Sequence, residues 1–331
     1  MANRRSFQKP LAGRVALVAG ATRGAGRGIA RALADAGATV YCTGRSVEGK
    51  PSPYRRSETI TETAAMIKAA GGTAIAVRVD HTNEREVAAL LRRILRTHHR
   101  LDVLVDSVAG EDPLLKPHGF LWQADLGNAD AMFRQGLTSR IITAKHAARA
   151  MMAAKRGLIV QITENDIIGA GANPITHAVK TAQKVLALQW ATELAPHGIT
   201  VVAITPGFLR SETMLQHFGV TEGTWREAGT KDPNFLVSES PLFVGRAIAA
   251  LAADPNVRRH TGLLLSSWEL AREYGFTDYD GRRPDWGRHK IDFSGLPPEW
   301  IDLFRTGTDL EIQWLKTLGA RARKFRVRVP A

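Results

Sequence analysis

Near the start of the chain, Ala19 to Gly28 read AGATRGAGRG, and Gly20, Gly24 and Gly26 stand in the spacing G-x-x-x-G-x-G. An apolar run at 15–18 precedes them, and helix-like sequence at 29–33 follows. Glycines in that setting let backbone N–H groups approach a phosphate at the positive end of a helix. The stretch is therefore expected to cradle a pyrophosphate, with Thr22, Arg23 and Ala25 inside the same turn.

A turn of this kind works only between a strand and a helix, and the pattern downstream supplies both repeatedly. Short β-branched runs at 39–43, 74–79, 102–105, 158–162, 200–204 and 262–265 alternate with helix-period segments at 58–70, 84–97, 129–154, 176–194 and 242–252. Alternating strands and helices imply right-handed βαβ units and a parallel sheet covered on both faces. With 331 residues, 44% of them hydrophobic, the chain can bury one large core and carry an appendage.

The expected division is a main unit over 1–268 and a C-terminal extension over 269–331, ending in a basic tail. Within the first unit, 208–240 is too long for an ordinary connection and is expected to be a lid or binding element. Its Phe208, Leu209, Met214, Leu215, Phe218 and Trp225 could equally form a small satellite core. A last helix is expected near Pro298, and the tail KFRVRV suits an edge strand, an arm on a neighbouring subunit, or disorder.

The formal net charge of +13 suggests a nucleic-acid partner until it is located. Arg4, Arg5 and Lys9 at one end and Lys316, Arg321, Arg323, Lys324, Arg326 and Arg328 at the other carry most of the excess, so nucleic acid is disfavoured. Cys42 is the single cysteine and falls in a strand, where packing is its expected role. With no apolar run of bilayer length and no signal-peptide core, a reducing cytoplasm and no membrane partner are expected.

AGATRGAG resembles the T-G-x-x-x-G-x-G turn of the short-chain dehydrogenase/reductase family, with Ala19 where threonine is usual. The similarity in element order and motifs runs from Leu11 to about Ser267. It implies a doubly wound α/β fold of Rossmann type, with about seven parallel strands, that binds a nicotinamide dinucleotide across their carboxyl ends. At the end of the second strand, Gly44 is followed by Arg45 and Ser46, with no acid to hold two ribose hydroxyls. Arg45 and Arg23 at the family's phosphate positions imply NADP(H), because two guanidinium groups bind a 2′-phosphate through charge-assisted hydrogen bonds. Asp80, with His81 beside it, matches the acid that meets the adenine. Asp106, Ser107, Val108, Ala109 and Gly110 stand where the family has N-N-A-G, and Pro206 and Gly207, followed by Leu209 and Ser211, match the segment that seats the nicotinamide amide.

The same resemblance leaves a gap where the proton donor belongs. The family pairs Tyr with Lys as Y-x-x-x-K, one helical turn apart; here Lys180 is present and Thr176 takes the place of tyrosine. Thr163 and Glu164 fall at or beside the family's serine, and Gly136 stands where asparagine is usual. Two readings follow. One is an NADP(H)-dependent reductase of a small-molecule C=N or C=O group that draws its proton from Glu164, Asp166, His177 or water. The other is a divergent protein that keeps the dinucleotide but performs non-redox chemistry or only binds. The alanine-rich helices at 129–154 and 176–194 are the family's pairing surface, so a homodimer or homotetramer is expected.

Overall fold

The computed structural model describes residues 9–50, 56–109, 122, 127–164 and 174–292. Along them run β1 (Val15–Ala19), α1 (Gly24–Asp35), β2 (Thr39–Gly44), α2 (Ile60–Ala69), β3 (Thr73–Arg78), α3 (Glu84–His98), β4 (Val103–Asp106), α4 (Ala129–Phe133) and α5 (Ser139–Ala154). They continue with β5 (Gly157–Ile162), α6 (Pro174–Leu194), β6 (Ile199–Thr205), α7 (Glu212–Phe218), α8 (Pro241–Ala253), β7 (Leu264–Ser266), α9 (Ser267–Tyr274) and α10 (Trp286–Asp292).

The central strands are apolar on both sides because helices cover both faces; every residue of β1 and of β6 is buried. The sheet is parallel throughout, in the order β3-β2-β1-β4-β5-β6-β7. Leu17 is in register with Tyr41 on one side and Leu104 on the other, so β1 is the strand from which the order reverses. At such a point the connections leave in opposite directions and open a crevice at the carboxyl ends of the strands.

Successive side chains feed two different cores. Ala16 and Val18 pack with Ile29 and Leu33 of α1, Ile60 and Ile67 of α2 and Val244 and Ile248 of α8. Leu17 packs on the other face with Val87 and Leu91 of α3, Ala147 and Met151 of α5 and Ala187 and Ala191 of α6. Cys42 is fully buried in the first core, as its position in a strand implied, and burial pushes its thiol up to about 12.

Two segments depart from the sequence expectation. The single helix expected over 129–154 is interrupted by a π-helical turn at Arg134–Thr138, with Gly136 buried inside it. A glycine is the weakest link in a helix interior, and the wider turn brings Gly136 O to Gln183 Nε2 on α6 at 3.1 Å. The stretch 208–240, in which the sequence pattern places no helix, builds α7 and two 3-10 turns, Trp225–Thr230 and Pro233–Val237.

Trp225 and Phe235 are fully buried there against Phe208, Met214, Leu215 and Phe218, so the aromatics make the satellite core. Arg210 holds that unit to the chain after β7. Its buried guanidinium lies 4.2 Å from the Trp225 ring centroid, donates to Ser238 O at 2.6 Å and pairs with Glu222 at 3.0 Å and Asp278 at 3.7 Å. Asp278 also accepts from the Ser240 N–H at 2.8 Å, and Leu270 of α9 enters the first core. The helix expected near Pro298 and the basic tail lie outside the described residues.

Candidate functional site

Backbone room, more than side chains, shapes the turn after β1. Gly20 has φ +84°, and a Cβ there would stand 2.5 Å from Ser107 O. A Cβ on Gly26 would stand 2.0 Å from Gly20 O, and Gly24 has φ +52°. The turn can therefore lie directly against the end of β4 only with hydrogen at those positions. Ala25 between them is half-buried against the first core.

Around this turn opens a cleft whose wall comes from four strand ends. The turn supplies Gly20, Thr22 and Arg23; the chain after β2 supplies Gly44, Arg45 and Ser46; Asp80 and His81 follow β3; Ser107 and Val108 follow β4. Those residues are separated by up to 88 positions; all but Gly44 were named from sequence for the dinucleotide, and Gly24, Ala25 and Gly26, named with them, are not in the wall. Pro206, Gly207, Leu209 and Ser211 are not in that wall. Gly207 N–H donates to Glu239 Oε2 at 2.9 Å, Leu209 bridges to Glu239 in parallel fashion, and Ser211 caps α7 by accepting from Met214 N–H.

The charges at the cleft form a network. Arg23 Nη1 lies 3.4 Å from Glu58 Oε2, and Arg56 grips the same carboxylate through Nη2 and through Nε at 3.0 Å. Burial pushes the Glu58 carboxyl up, but the hydrogen bond and charge of Arg56 outweigh it and hold it below the usual range. Arg27 braces the turn, donating to Thr22 O and to Glu62 Oε2, both at 2.9 Å.

Asp80 is pulled up by burial and down by two hydrogen bonds from Thr82, and it also lies below the usual range. His81 is buried, within 2.9 Å of both Thr43 Oγ1 and Thr143 Oγ1, and burial drives its pKa down to about 4. A neutral imidazole so placed stitches β2 to α5 and forms the floor of the cleft. Sequence reasoning missed Arg27, Arg56, Glu58 and Glu62. The capping box of Thr59 and Glu62 on α2 was the one readable signal for that group.

The residues named for catalysis gather at the carboxyl end of β5 and the first turns of α6. Lys180 is buried, and its Nζ lies 3.0 Å from Glu164 Oε1, whose side chain is 52% exposed. Thr163, also buried, donates its hydroxyl to Lys180 O at 3.1 Å, so strand and helix are joined beside the ammonium. Thr176 stands one turn before Lys180 and is half-buried, as is His177. Asp166 lies outside the described residues.

Beneath this site runs a polar layer not named from sequence. Arg140 is buried and donates to Asp106 O and Val108 O, both at 2.9 Å, and to Gln161 Oε1 at 3.1 Å. It fixes the chain after β4 from below. Behind Gly207, the buried Glu239 also accepts from Ser267 Oγ at 2.5 Å, and burial pushes its carboxyl up to about 8. Neither residue sits in a recognisable spacing, because each is defined by what folds over it.

A parallel sheet whose order reverses beside a glycine turn, with a cleft spanning the strand ends, defines a dinucleotide-binding α/β protein. Residues 14–219 match the family model described as short chain dehydrogenase, and the chain belongs to that family of nicotinamide-dependent oxidoreductases. It is similar to mouse "Dehydrogenase/reductase SDR family member 1", with 36% identity over 278 residues that cover 82% of this chain and 85% of the relative. The human protein of the same name is 34% identical over 283 residues, with the same coverage.

A cyanobacterial "3-oxoacyl-[acyl-carrier-protein] reductase" from Synechocystis is 32% identical, covering 76% of this chain and 94% of its own. Among solved structures, a putative NAD(P)-dependent gluconate 5-dehydrogenase from Beutenbergia cavernae, with bound NADP at low occupancy, superposes with a TM-score of 0.62 at 27% identity. That match covers 78% of this chain and 96% of the other. No helix among the described residues is long and apolar enough to cross a membrane.

Proposed function

We propose that this chain is an NADP(H)-dependent oxidoreductase that reduces a C=O or C=N group of a small molecule without a phenol as proton donor. The observation that carries the reading is the Lys180–Glu164 pair, 3.0 Å apart, beside the place where threonine stands for tyrosine. The glycine cradle, which a Cβ at Gly20 or Gly26 would fill, fits a pyrophosphate, and Arg23 and Arg45 in one cleft fit a 2′-phosphate. Asp80 and His81 are assigned to the adenine end, Ser107 and Val108 to the middle, and Pro206, Gly207, Leu209 and Ser211 to the nicotinamide end.

Bound there, the nicotinamide supplies or accepts the hydride. Lys180 holds the ribose and carries positive charge toward the developing oxyanion or amine. Its partner Glu164 reaches solvent and returns the proton that each turnover consumes. Thr163 fixes the backbone of Lys180, and Thr176 contributes a hydroxyl to position substrate or water. An imine, which can be protonated in water, needs less of this help than a ketone. Two copies are assigned to pair through α4, α5 and α6, whose surface carries exposed Ile141 and Val185. The cytoplasm is the assigned compartment.

The test is calorimetric titration of NADPH and NADH, followed by cofactor-oxidation assays with cyclic imines, ketones and enones, for wild type and Lys180→Met. The expected result is tighter NADPH than NADH, turnover of at least one substrate class, and loss of about 100-fold in rate in the variant. Micromolar NADPH binding with no oxidation by any substrate would favour a binding or non-redox role. Tighter NADH would overturn the assignment of the cofactor.

A further inference from the structure

The first N–H of α1, that of Gly24, is taken by an acid 188 residues further along the chain. It donates to Glu212 Oε2 at 2.7 Å, and the other oxygen of that carboxylate lies 3.5 Å from Arg27 Nη1. Arg23, the N-cap residue, provides no side-chain cap, so Glu212 fills that role from α7. One turn further along α7, Gln216 accepts from Arg56 Nη1 at 2.9 Å. The helix is thus held at two points by groups of the cleft, and Ser211 and Leu209 lie directly over Gly24.

A carboxylate at a helix N-terminus is favourable for the same reason that a phosphate is, because both meet the free N–H groups and the positive end of the dipole. We infer that Glu212 sets the affinity of this chain for its dinucleotide, as an internal anion competing with the pyrophosphate for the N-terminus of α1. The inference rests on the reading of the turn as a phosphate seat. Glu212 is 27% exposed on its side chain, so its charge is only partly screened from an anion placed beside it. The cost of bringing a pyrophosphate to that charge appears as a weaker Kd and faster release of cofactor. Gly24 N–H and Arg27 are the groups that Glu212 and the nucleotide share.

Glu212→Gln keeps an acceptor for Gly24 N–H and removes the charge; Glu212→Asp keeps the charge. The experiment is titration of both full-length variants and the wild type with NADPH and NADH at low and high KCl, with melting curves as the check on folding. Glu212→Gln is expected to bind both nucleotides about tenfold more tightly at low salt, with the gain shrinking as KCl rises. Glu212→Asp is expected to stay within about twofold of wild type. Wild-type binding that is unchanged or weakened in a folded Glu212→Gln overturns the inference while leaving the cofactor reading intact, and so does equal tightening by Glu212→Asp. Absence of nucleotide binding in every protein overturns both.

Discussion

The two parts of the candidate site are built from different materials. At the phosphate end the decisive features are backbone: a positive φ at Gly20 and Gly24, and a gap at Gly26 too narrow for any side chain. At the part proposed to react they are side chains on a stable frame, with Thr163 and Glu164 just after β5 and Thr176 and Lys180 on α6. Substitution at the first end disturbs the contact between β1, α1 and β4. Substitution at the second changes chemistry and leaves the sheet alone. On the proposed reading, fold and cofactor seat persist while the proton donor is replaced.

That contrast gives its own tests. Gly26→Ala is expected to have the largest effect. Its Cβ must displace Gly20 O, costing ~3 kcal/mol and lowering the melting midpoint by about 4 °C, with loss of NADPH binding by calorimetry. If affinity survives, the backbone is not the seat and the contrast dissolves. Thr176→Tyr comes next: it restores a phenol one turn from Lys180 and is expected to raise ketone reduction by about 100-fold. NADPH affinity should move by no more than about twofold in the same variant. A folded Thr176→Tyr protein without that gain would show that the reacting end has diverged beyond its proton donor.

The smallest effect belongs to Glu239, which lies behind Gly207 and belongs to neither end. Its carboxyl titrates at about 8 in the folded chain because burial disfavours the charged form, and near 4.3 when unfolded. A raised folded value means that its contribution is fully present below the unfolded pKa and is lost as pH rises toward 8. Wild type should therefore lose on the order of 2 kcal/mol between pH 5 and 6.5 relative to Glu239→Gln, read from melting midpoints across that range. Parallel pH profiles would show that the carboxyl ionises freely.

Much of the architecture was readable before any coordinates. All seven strands and the glycine turn follow from local patterns, and the cleft wall brings together Gly20, Thr22, Arg23, Arg45, Ser46, Asp80, His81, Ser107 and Val108, though not Gly24, Ala25 or Gly26. The π turn at Arg134–Thr138 was not readable, because its carbonyl is met by Gln183, 47 residues away. Nor was the choice between lid and satellite core at 208–240. The aromatic spacing suited both; the structure packs the aromatics into a satellite core, with Arg210 stacked on Trp225 and paired with Asp278. Thr176 four residues before Lys180 was visible as a letter, whereas the Lys180–Glu164 contact was not.

By itself the sequence determined what depends on neighbours along the chain: strand and helix periods, the glycine spacing, the capping box, and the absence of tyrosine before Lys180. Tertiary structure decided which charges meet. Arg56 with Gln216 across 160 residues and Gly24 with Glu212 across 188 exist only because the sheet order brings α7 over the N-terminus of α1. The reason is one of range. Backbone sterics act between residues a few bonds apart and leave a mark in the local sequence, while ionic and hydrogen-bond partners are chosen by proximity in space, which chain closure alone provides.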